Sequence, residues 1–233
     1  MTQLAEHIAA VRQRIDAAAL EAGRNPADIT LVAATKTQTG ETIREAIASG
    51  ITVCGENRVQ ELTDHLSENA YAGAALHFIG HLQTNKVKYI VGKADLIQSV
   101  DSPHLMDAIE ARADALNLRQ DILLEVNIGG EESKGGCPQS QLMDLALHTA
   151  LCPHIRLRGI MCIPPVAPEK GDNLHFFAQT AQFLVDIREK MGDNNSDIDC
   201  LSMGMSGDYE DAVRAGATHV RVGSAIFGMR PHR

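Results

Sequence analysis

Aromatic side chains are scarce in this chain of 233 residues. Tryptophan is absent, and phenylalanine and tyrosine together make up only 3% of the residues. Proteins that hold single-stranded nucleic acids stack the bases on aromatic side chains. The formal net charge of −9 at pH 7 would also repel a phosphate backbone. We therefore expect no nucleic-acid partner.

The sequence also lacks paired cysteines and a recognisable metal-binding motif. Its five cysteines are odd in number, and no two of them have C-x-x-C spacing. This pattern argues against a disulfide framework and a zinc site, and favours reduced, mostly buried thiols. The ten histidines form no H-E-x-x-H motif, so we predict no metal.

Long apolar runs are missing as well. No stretch approaches the 18 apolar residues of a membrane span. The first residues, MTQLAEHIAAVRQRIDAAAL, lack the basic start, apolar run and cleavage site of a signal peptide. Leu4, Ile8, Val11 and Ile15 instead share one face of an amphipathic helix. These features predict a cytoplasmic protein with no membrane association.

Short β-rich runs alternate with helical patterns along the rest of the chain. Helical patterns lie near 41–49, 57–68, 82–92, 103–117, 139–150, 173–191 and 208–215. Strands that alternate with helices are typical of parallel sheets. Eight strands in 233 residues favour a single (β/α)₈ TIM barrel domain over residues 1–233, with an open doubly wound sheet as the alternative. The predicted strands are Ile29–Ala34, Ile51–Cys54, Leu76–Ile79, Asp95–Ser99, Asp121–Asn127, Arg156–Cys162, Asp199–Ser202 and His219–Val222.

Polar residues follow several of these strands, where the reacting groups of a parallel barrel lie. Lys36 comes directly after the apolar first strand. A partly desolvated amine is more often neutral and can attack an aldehyde. The alternative is a solvated lysine at a strand end.

Serine and glycine occur together after the last two strands, as Ser206-Gly207 and Gly223-Ser224. Phosphate sites of such barrels are often built there from backbone N–H groups and hydroxyls. The alternative for each loop alone is that it simply ends a strand and caps a helix. On adjacent strands, the two loops together favour a phosphate site.

Arg221 lies within the apolar eighth strand, between two valines. Alternation along a strand predicts that the valines face the helices and that the guanidinium points into the barrel. A charge inside a barrel is costly unless it is paired. Its partner is either a buried carboxylate such as Glu125 or a nitrogen of a bound ring.

Several motifs occur in an order that resembles the pyridoxal phosphate homeostasis proteins, the YggS/PROSC family. The resemblance covers nearly the whole chain and implies a barrel similar to the N-terminal domain of alanine racemase. The motifs are Ala33-Ala34-Thr35-Lys36, Gly55-Glu56-Asn57-Arg58-Val59-Gln60-Glu61, His77-Phe78-Ile79-Gly80, Leu82-Gln83-Thr84-Asn85-Lys86, Ser202-Met203-Gly204-Met205-Ser206-Gly207-Asp208 and Arg221-Val222-Gly223-Ser224-Ala225-Ile226-Phe227-Gly228.

The resemblance also implies a cofactor, pyridoxal 5′-phosphate (PLP), and a set of binding residues. Lys36 would form a Schiff base, Arg221 would face the pyridine nitrogen, and Asn57 would lie near the ring. The phosphate would be held by Ser206, Gly223 and Ser224. His81 stands where the family commonly has proline, which either alters access to the site or is a neutral loop substitution. Lys134 is a second amine in a loop, and its role stays open.

An arginine beside the pyridine nitrogen disfavours its protonation and weakens the ring as an electron sink. The resemblance therefore favours a PLP carrier that buffers the aldehyde and delivers it to apo-enzymes, with no catalytic residue assigned.

The alternative is a PLP-dependent racemase of small amino acids, which needs a second proton-transfer group. Tyr71 and Tyr89 fit loop and helix positions, so Tyr209 is the remote candidate. A lysine aldolase acting on a sugar phosphate is a third possibility. Without the second domain of the racemases, we expect a monomer.

Overall fold

Eight parallel strands form a closed barrel in the computed structural model, which describes residues 2–131, 134–192 and 197–228. Each strand pairs with its neighbour, and the first strand pairs with the last, so the ring has no edge. The prediction of a (β/α)₈ barrel is confirmed, and the open-sheet alternative is wrong. The barrel strands are β1 (Thr30–Ala34), β2 (Val53–Glu56), β3 (Ala75–Phe78), β4 (Leu96–Val100), β5 (Gln120–Asn127), β7 (Ile155–Cys162), β8 (Cys200–Ser202) and β9 (His219–Val222).

Helices cover the outside of the barrel. Thr2, Thr39 and Ser102 each accept a backbone N–H bond at a helix start, as capping residues do. None of the helices in the described ranges is long and apolar enough to cross a bilayer. The helices are α1 (Gln3–Glu21), α2 (Gly40–Ala48), α3 (Val59–Ser67), α4 (Pro103–Ala115), α5 (Leu142–His148), α6 (Leu174–Met191), α7 (Tyr209–Arg214) and α8 (Ser224–Phe227).

Four local details of the fold differ from the predictions. The stretch predicted as a helix near 82–92 forms only a 3-10 helix, Thr84–Tyr89, because it has several β-branched residues and no capping side chain. A two-residue strand, β6 (Cys137–Pro138), pairs with β5 outside the ring and was not predicted. The short helix α8 was also missed. The second strand runs two residues further than predicted and includes Glu56.

The main core lies between the barrel and its helices. Ile8, Val11 and Ile15 of α1 are buried there, which confirms the predicted apolar face. All five cysteines are buried and outside any disulfide. A smaller apolar cluster lines the barrel interior and consists of Leu96, Leu123, Met161 and Cys200. Buried polar side chains of Gln98, Ser202 and Arg221 are joined by hydrogen bonds in another part of the interior.

Gly159 allows β7 and β8 to approach each other. Its φ is +150°, and a Cβ atom there would lie 1.8 Å from the carbonyl oxygen of Cys200. Next to it, the backbone of Arg158 has no register partner on β5, because the register shifts between Leu157 and Gly159. The irregularity at this point of the ring therefore requires a residue without a side chain.

We expect Gly159→Ala to lower the free energy of unfolding by about 3 kcal/mol or more, because the added methyl group collides with backbone. Gly50→Ala is the control, since Gly50 has a φ of +102° but open space around it. Its cost should be about 1–2 kcal/mol from backbone strain alone. Urea denaturation measures both, and equal costs would show that the contact with Cys200 is unimportant.

Candidate site at the carboxyl ends of the strands

A cavity of about 1210 Å³ opens at the carboxyl ends of the barrel strands. Three of the six residues predicted to bind the cofactor follow β1, β2 and β8, and the other three lie in or just after β9. Every residue predicted to bind the cofactor lines this one cavity: Lys36, Asn57, Ser206, Arg221, Gly223 and Ser224. The fold thus brings together residues that are up to 188 positions apart in the sequence, from Lys36 to Ser224.

Glu56 organises the part of the site that follows β1 and β2. Its carboxylate is fully buried and accepts hydrogen bonds from the Thr35 hydroxyl (3.1 Å), the Asn57 N–H (2.8 Å) and the Tyr71 hydroxyl (3.2 Å). Burial raises the pKa of Glu56 and Glu61 raises it further, while these hydrogen bonds oppose the shift. The carboxylate therefore ties Thr35, next to Lys36, to the backbone of Asn57.

Asn57 also carries an acceptor without a partner. Its Oδ1 atom is buried and has no hydrogen-bond partner within the described part of the chain. An unsatisfied buried acceptor costs free energy unless a ligand or water supplies a donor. Because Asn57 lines the cavity, this atom fits a donor on a bound molecule.

Ser206 joins the two loops that follow β8 and β9. Its Oγ accepts hydrogen bonds from the backbone N–H groups of Gly223 (3.1 Å) and Ala225 (3.3 Å). A hydroxyl that accepts two bonds still has its own proton to donate. Ser224 and Gly207 line the same side of the cavity. Serine hydroxyls and glycine backbone therefore converge there, as a phosphate site requires.

Arg221 points into the barrel, as predicted, with Val220 and Val222 buried in the main core. Its guanidinium donates hydrogen bonds to the Ser202 hydroxyl (2.6 Å) and the Cys162 carbonyl (2.9 Å). Burial lowers the pKa of Arg221, and Cys162, Glu125 and Asp208 oppose that shift. The group stays charged, because arginine is not deprotonated in proteins.

A chain of hydrogen bonds supports Arg221 from inside the barrel. The Ser202 hydroxyl donates to Gln98 Oε1 (2.7 Å), and the Gln98 amide lies 2.9 Å from His77 Nδ1. Burial and the nearby His219 lower the pKa of His77 to about 3, so its ring is neutral and accepts from the Gln98 amide. His77 is thus a structural residue.

Glu125 faces the same interior without forming the ion pair considered from the sequence. No contact within 4.0 Å joins Glu125 to Arg221, and both lie in the described part of the chain. Burial raises the pKa of Glu125 to about 7, against the lowering effect of Arg221 and with a further increase from Asp101. The direct partners of Arg221 are therefore neutral groups.

The remaining candidates lie outside the cavity lining. His81 is exposed, with Nδ1 4.0 Å from Asp101. Lys134 donates to the Pro164 carbonyl (2.9 Å) and pairs with Glu131. Tyr209 is buried at the start of α7 beneath the Arg14 guanidinium and does not line the cavity. The prediction that it is a candidate group near the mouth is therefore wrong.

The sequence patterns assign no role to Glu61, which lines the cavity, or to Glu56, which is fully buried next to Asn57. Glu56 and Glu61 both belong to a quoted motif, but their partners lie in the turn after β1 and only the fold reveals them. One mixed cluster outside the cavity was also missed. Asp107, His148 and Cys152 place their ligand atoms within 4.8 Å of one another, and His148 is already paired with Asp107.

Comparison with known proteins agrees with this geometry. The family described as alanine racemase, N-terminal domain, matches residues 7–231. A pyridoxal phosphate homeostasis protein from Aquifex aeolicus (strain VF5) is 40% identical over 227 residues, 97% of this chain and 98% of that protein. The chain belongs to the pyridoxal phosphate homeostasis proteins.

Another member of this family, from Escherichia coli (strain K12), is 37% identical over 100% of this chain and 99% of its own length. The solved structure of PipY from Synechococcus elongatus PCC7942, with PLP bound, has a TM-score of 0.84 and 30% identity. The match covers 97% of this chain and 100% of the PipY chain. The resemblance noted from the sequence motifs is therefore confirmed.

We expect Glu125→Gln to change how stability depends on pH. The folded-state pKa of about 7 lies above the ordinary 4.5, so the folded protein binds the extra proton and loses stability as pH rises through that range. Glutamine does not ionise. The variant should therefore gain roughly 2 kcal/mol relative to wild type between about pH 5 and about pH 8.

Urea denaturation at a series of pH values measures this difference. Glu45→Gln, at an exposed position of α2, is the matched control and should follow wild type. A constant difference between Glu125→Gln and wild type across the series would mean that Glu125 does not hold its proton.

Proposed function

We propose that the protein binds PLP through a Schiff base to Lys36 and holds it reversibly in intracellular PLP homeostasis, as a buffer and as a source for apo-enzymes. The observation that carries the proposal is the convergence of Lys36, the Ser206 loop and Arg221 on one cavity. The PLP bound to the family member PipY supports it.

Lys36 would hold the cofactor through a C=N bond between its amine nitrogen and the aldehyde carbon, with the aldehyde oxygen leaving as water. Lys36 is half-buried at the mouth, within reach of both the cavity and solvent. The same bond is undone by water or by an incoming amine, which releases PLP. A reversible link at an open mouth suits a carrier.

The phosphate lies against Ser206, Gly223 and Ser224 in this proposal. The Ser206 proton donates to a phosphate oxygen, and the two backbone N–H groups on its other side fix its position. Ser224 adds a hydroxyl from the loop that follows β9. Because the net charge is −9, this local set of donors is what attracts an anion.

Arg221 and Asn57, which both line the cavity, would hold the pyridine ring. PLP supplies an electron sink when its ring nitrogen is protonated. A charged guanidinium opposes that protonation, since two positive charges repel. The Asn57 Oδ1 atom, which lacks a partner among the described residues, would accept a hydrogen bond from the bound cofactor. These residues therefore bind the ring and keep it weakly activating.

A carrier role also agrees with the position of the tyrosines. Racemisation needs a proton-transfer group on each face of the substrate. Tyr209 lies under Arg14, and Tyr71 donates to the buried Glu56, so neither lines the cavity. The relatives are named homeostasis proteins. We propose that the protein turns over no substrate and acts as a cytoplasmic monomer, a single domain over residues 1–233.

Lys36→Ala should abolish the visible absorbance band that added PLP produces in the wild-type protein. Borohydride reduction followed by peptide mass analysis should place the label of the wild type on Lys36, because no other amine lines the cavity among the described residues. Lys93→Ala, at an exposed position, is the control and should keep both band and label.

A label on Lys134 or on scattered lysines of the wild type would contradict the assignment. Absence of any band or label would refute PLP binding and favour the aldolase alternative, which would label with a sugar-phosphate aldehyde. Hydrogen exchange with deuterated water at Cα of alanine would instead support the racemase alternative.

Ser206→Ala should weaken PLP binding roughly tenfold, because one donor to the phosphate is lost and the loop after β9 loses its anchor. Pyridoxal, which lacks the phosphate, should bind the variant and the wild type equally. Ser67→Ala, at an exposed position of α3, is the matched control. Equal weakening for both ligands would place the phosphate elsewhere.

A further inference from the structure

Lys36 lies in a tight turn with an unusual backbone conformation. The Gln38 N–H donates to the Thr35 carbonyl (3.0 Å), which closes a four-residue turn with Lys36 second and Thr37 third. Thr37 has a φ of +67°. Turns with a positive φ at the third position normally place glycine or asparagine there. A β-branched residue in this region is a strained outlier, and such strain accumulates at functional sites.

One side chain holds this strained residue. The Thr37 N–H donates to Glu61 Oε2 (2.8 Å), and Glu61 Oε1 accepts from the Arg58 guanidinium (3.1 Å). Glu61 lies in the first turn of α3, and all three residues line the cavity. One oxygen of the Glu61 carboxylate therefore binds the Thr37 N–H of the turn. The other oxygen binds Arg58, which orients the carboxylate.

The residue before Lys36 is held just as firmly. Thr35 donates its N–H to the Gly55 carbonyl (2.9 Å) and its hydroxyl to the Glu56 carboxylate (3.1 Å), and it is fully buried. Lys36 thus lies between a fixed residue of the barrel and a residue whose conformation depends on Glu61. If the bond to Glu61 were lost, Thr37 would relax towards negative φ. The peptide between Lys36 and Thr37 would then rotate and redirect the lysine.

We propose that Glu61 is a positioning residue that keeps Thr37 in its strained conformation and so aims the Lys36 amine into the cavity. This inference rests on the proposed function, because it concerns the same lysine. Glu61 acts through the backbone and does not need to touch the cofactor. The strain explains why the turn with Thr37 at its third position needs a carboxylate partner from α3.

The first test uses the protein without PLP. Hydrogen exchange of the Thr37 amide, followed by NMR, should be protected in the wild type and lose protection at least about tenfold in Glu61→Ala. Glu41→Ala, which removes an exposed carboxylate in the first turn of α2, should keep the protection. An unchanged Thr37 amide in Glu61→Ala would overturn the proposal at its first step.

The second test measures the rate at which the Schiff-base absorbance develops with added PLP. Glu61→Ala should slow it about tenfold, as expected when a strained backbone conformation is no longer enforced. Glu61→Gln should largely restore the rate, because its amide oxygen still accepts the Thr37 N–H. In Thr37→Gly the positive φ at position 37 causes no steric strain. Adding Glu61→Ala to this variant should therefore change the rate less than about twofold.

The outcomes separate this inference from the proposed function. Equal slowing by Glu61→Ala with and without Thr37→Gly would overturn the positioning role, since glycine should make the carboxylate dispensable. Loss of Thr37 amide protection with an unchanged rate would also overturn it and leave PLP binding intact. A wild type without any Schiff-base absorbance would overturn both.

Discussion

The pairing of β1 with β9 is the constraint on which the rest of the molecule depends. Val32 lies opposite Arg221 and Ala33 opposite Val222, so the first and last strands run side by side in one fixed register. This register puts the turn that carries Lys36 beside the loop of Gly223 and Ser224. Without it the barrel would open into a sheet and the cavity would lose one wall.

A second constraint comes from inside the barrel, where polar groups replace part of the usual apolar filling. Arg221, Ser202, Gln98 and His77 form a continuous series of hydrogen bonds beneath the cavity. A buried polar network stabilises a structure only when every member has its partner. The hydrogen bonds therefore fix the conformations of these interior side chains. They also hold the positive charge of Arg221 at the floor of the site.

The sequence patterns predict the fold better than they predict the contacts of the site. Strand and helix alternation, together with polar residues at strand ends, correctly indicated the barrel and the residues that meet at its mouth. Periodicity did not reveal β6 or α8, because two- and four-residue elements have no period to read. The roles of Glu56 and Glu61 were missed because their partners depend on the path of a turn. Charge alone favours an ion pair between Arg221 and Glu125. In the structure the buried guanidinium instead donates to neutral groups, the Ser202 hydroxyl and the Cys162 carbonyl.

The position of Ser206 has a consequence for the thermodynamics of recognition. Its hydroxyl already joins the loops after β8 and β9, so their conformational entropy is lost when the chain folds and not when a ligand arrives. Affinity at this end of the cavity is therefore coupled to the local stability of the barrel. A substitution that loosens α7 or β9 would weaken recognition of an anion that it never contacts.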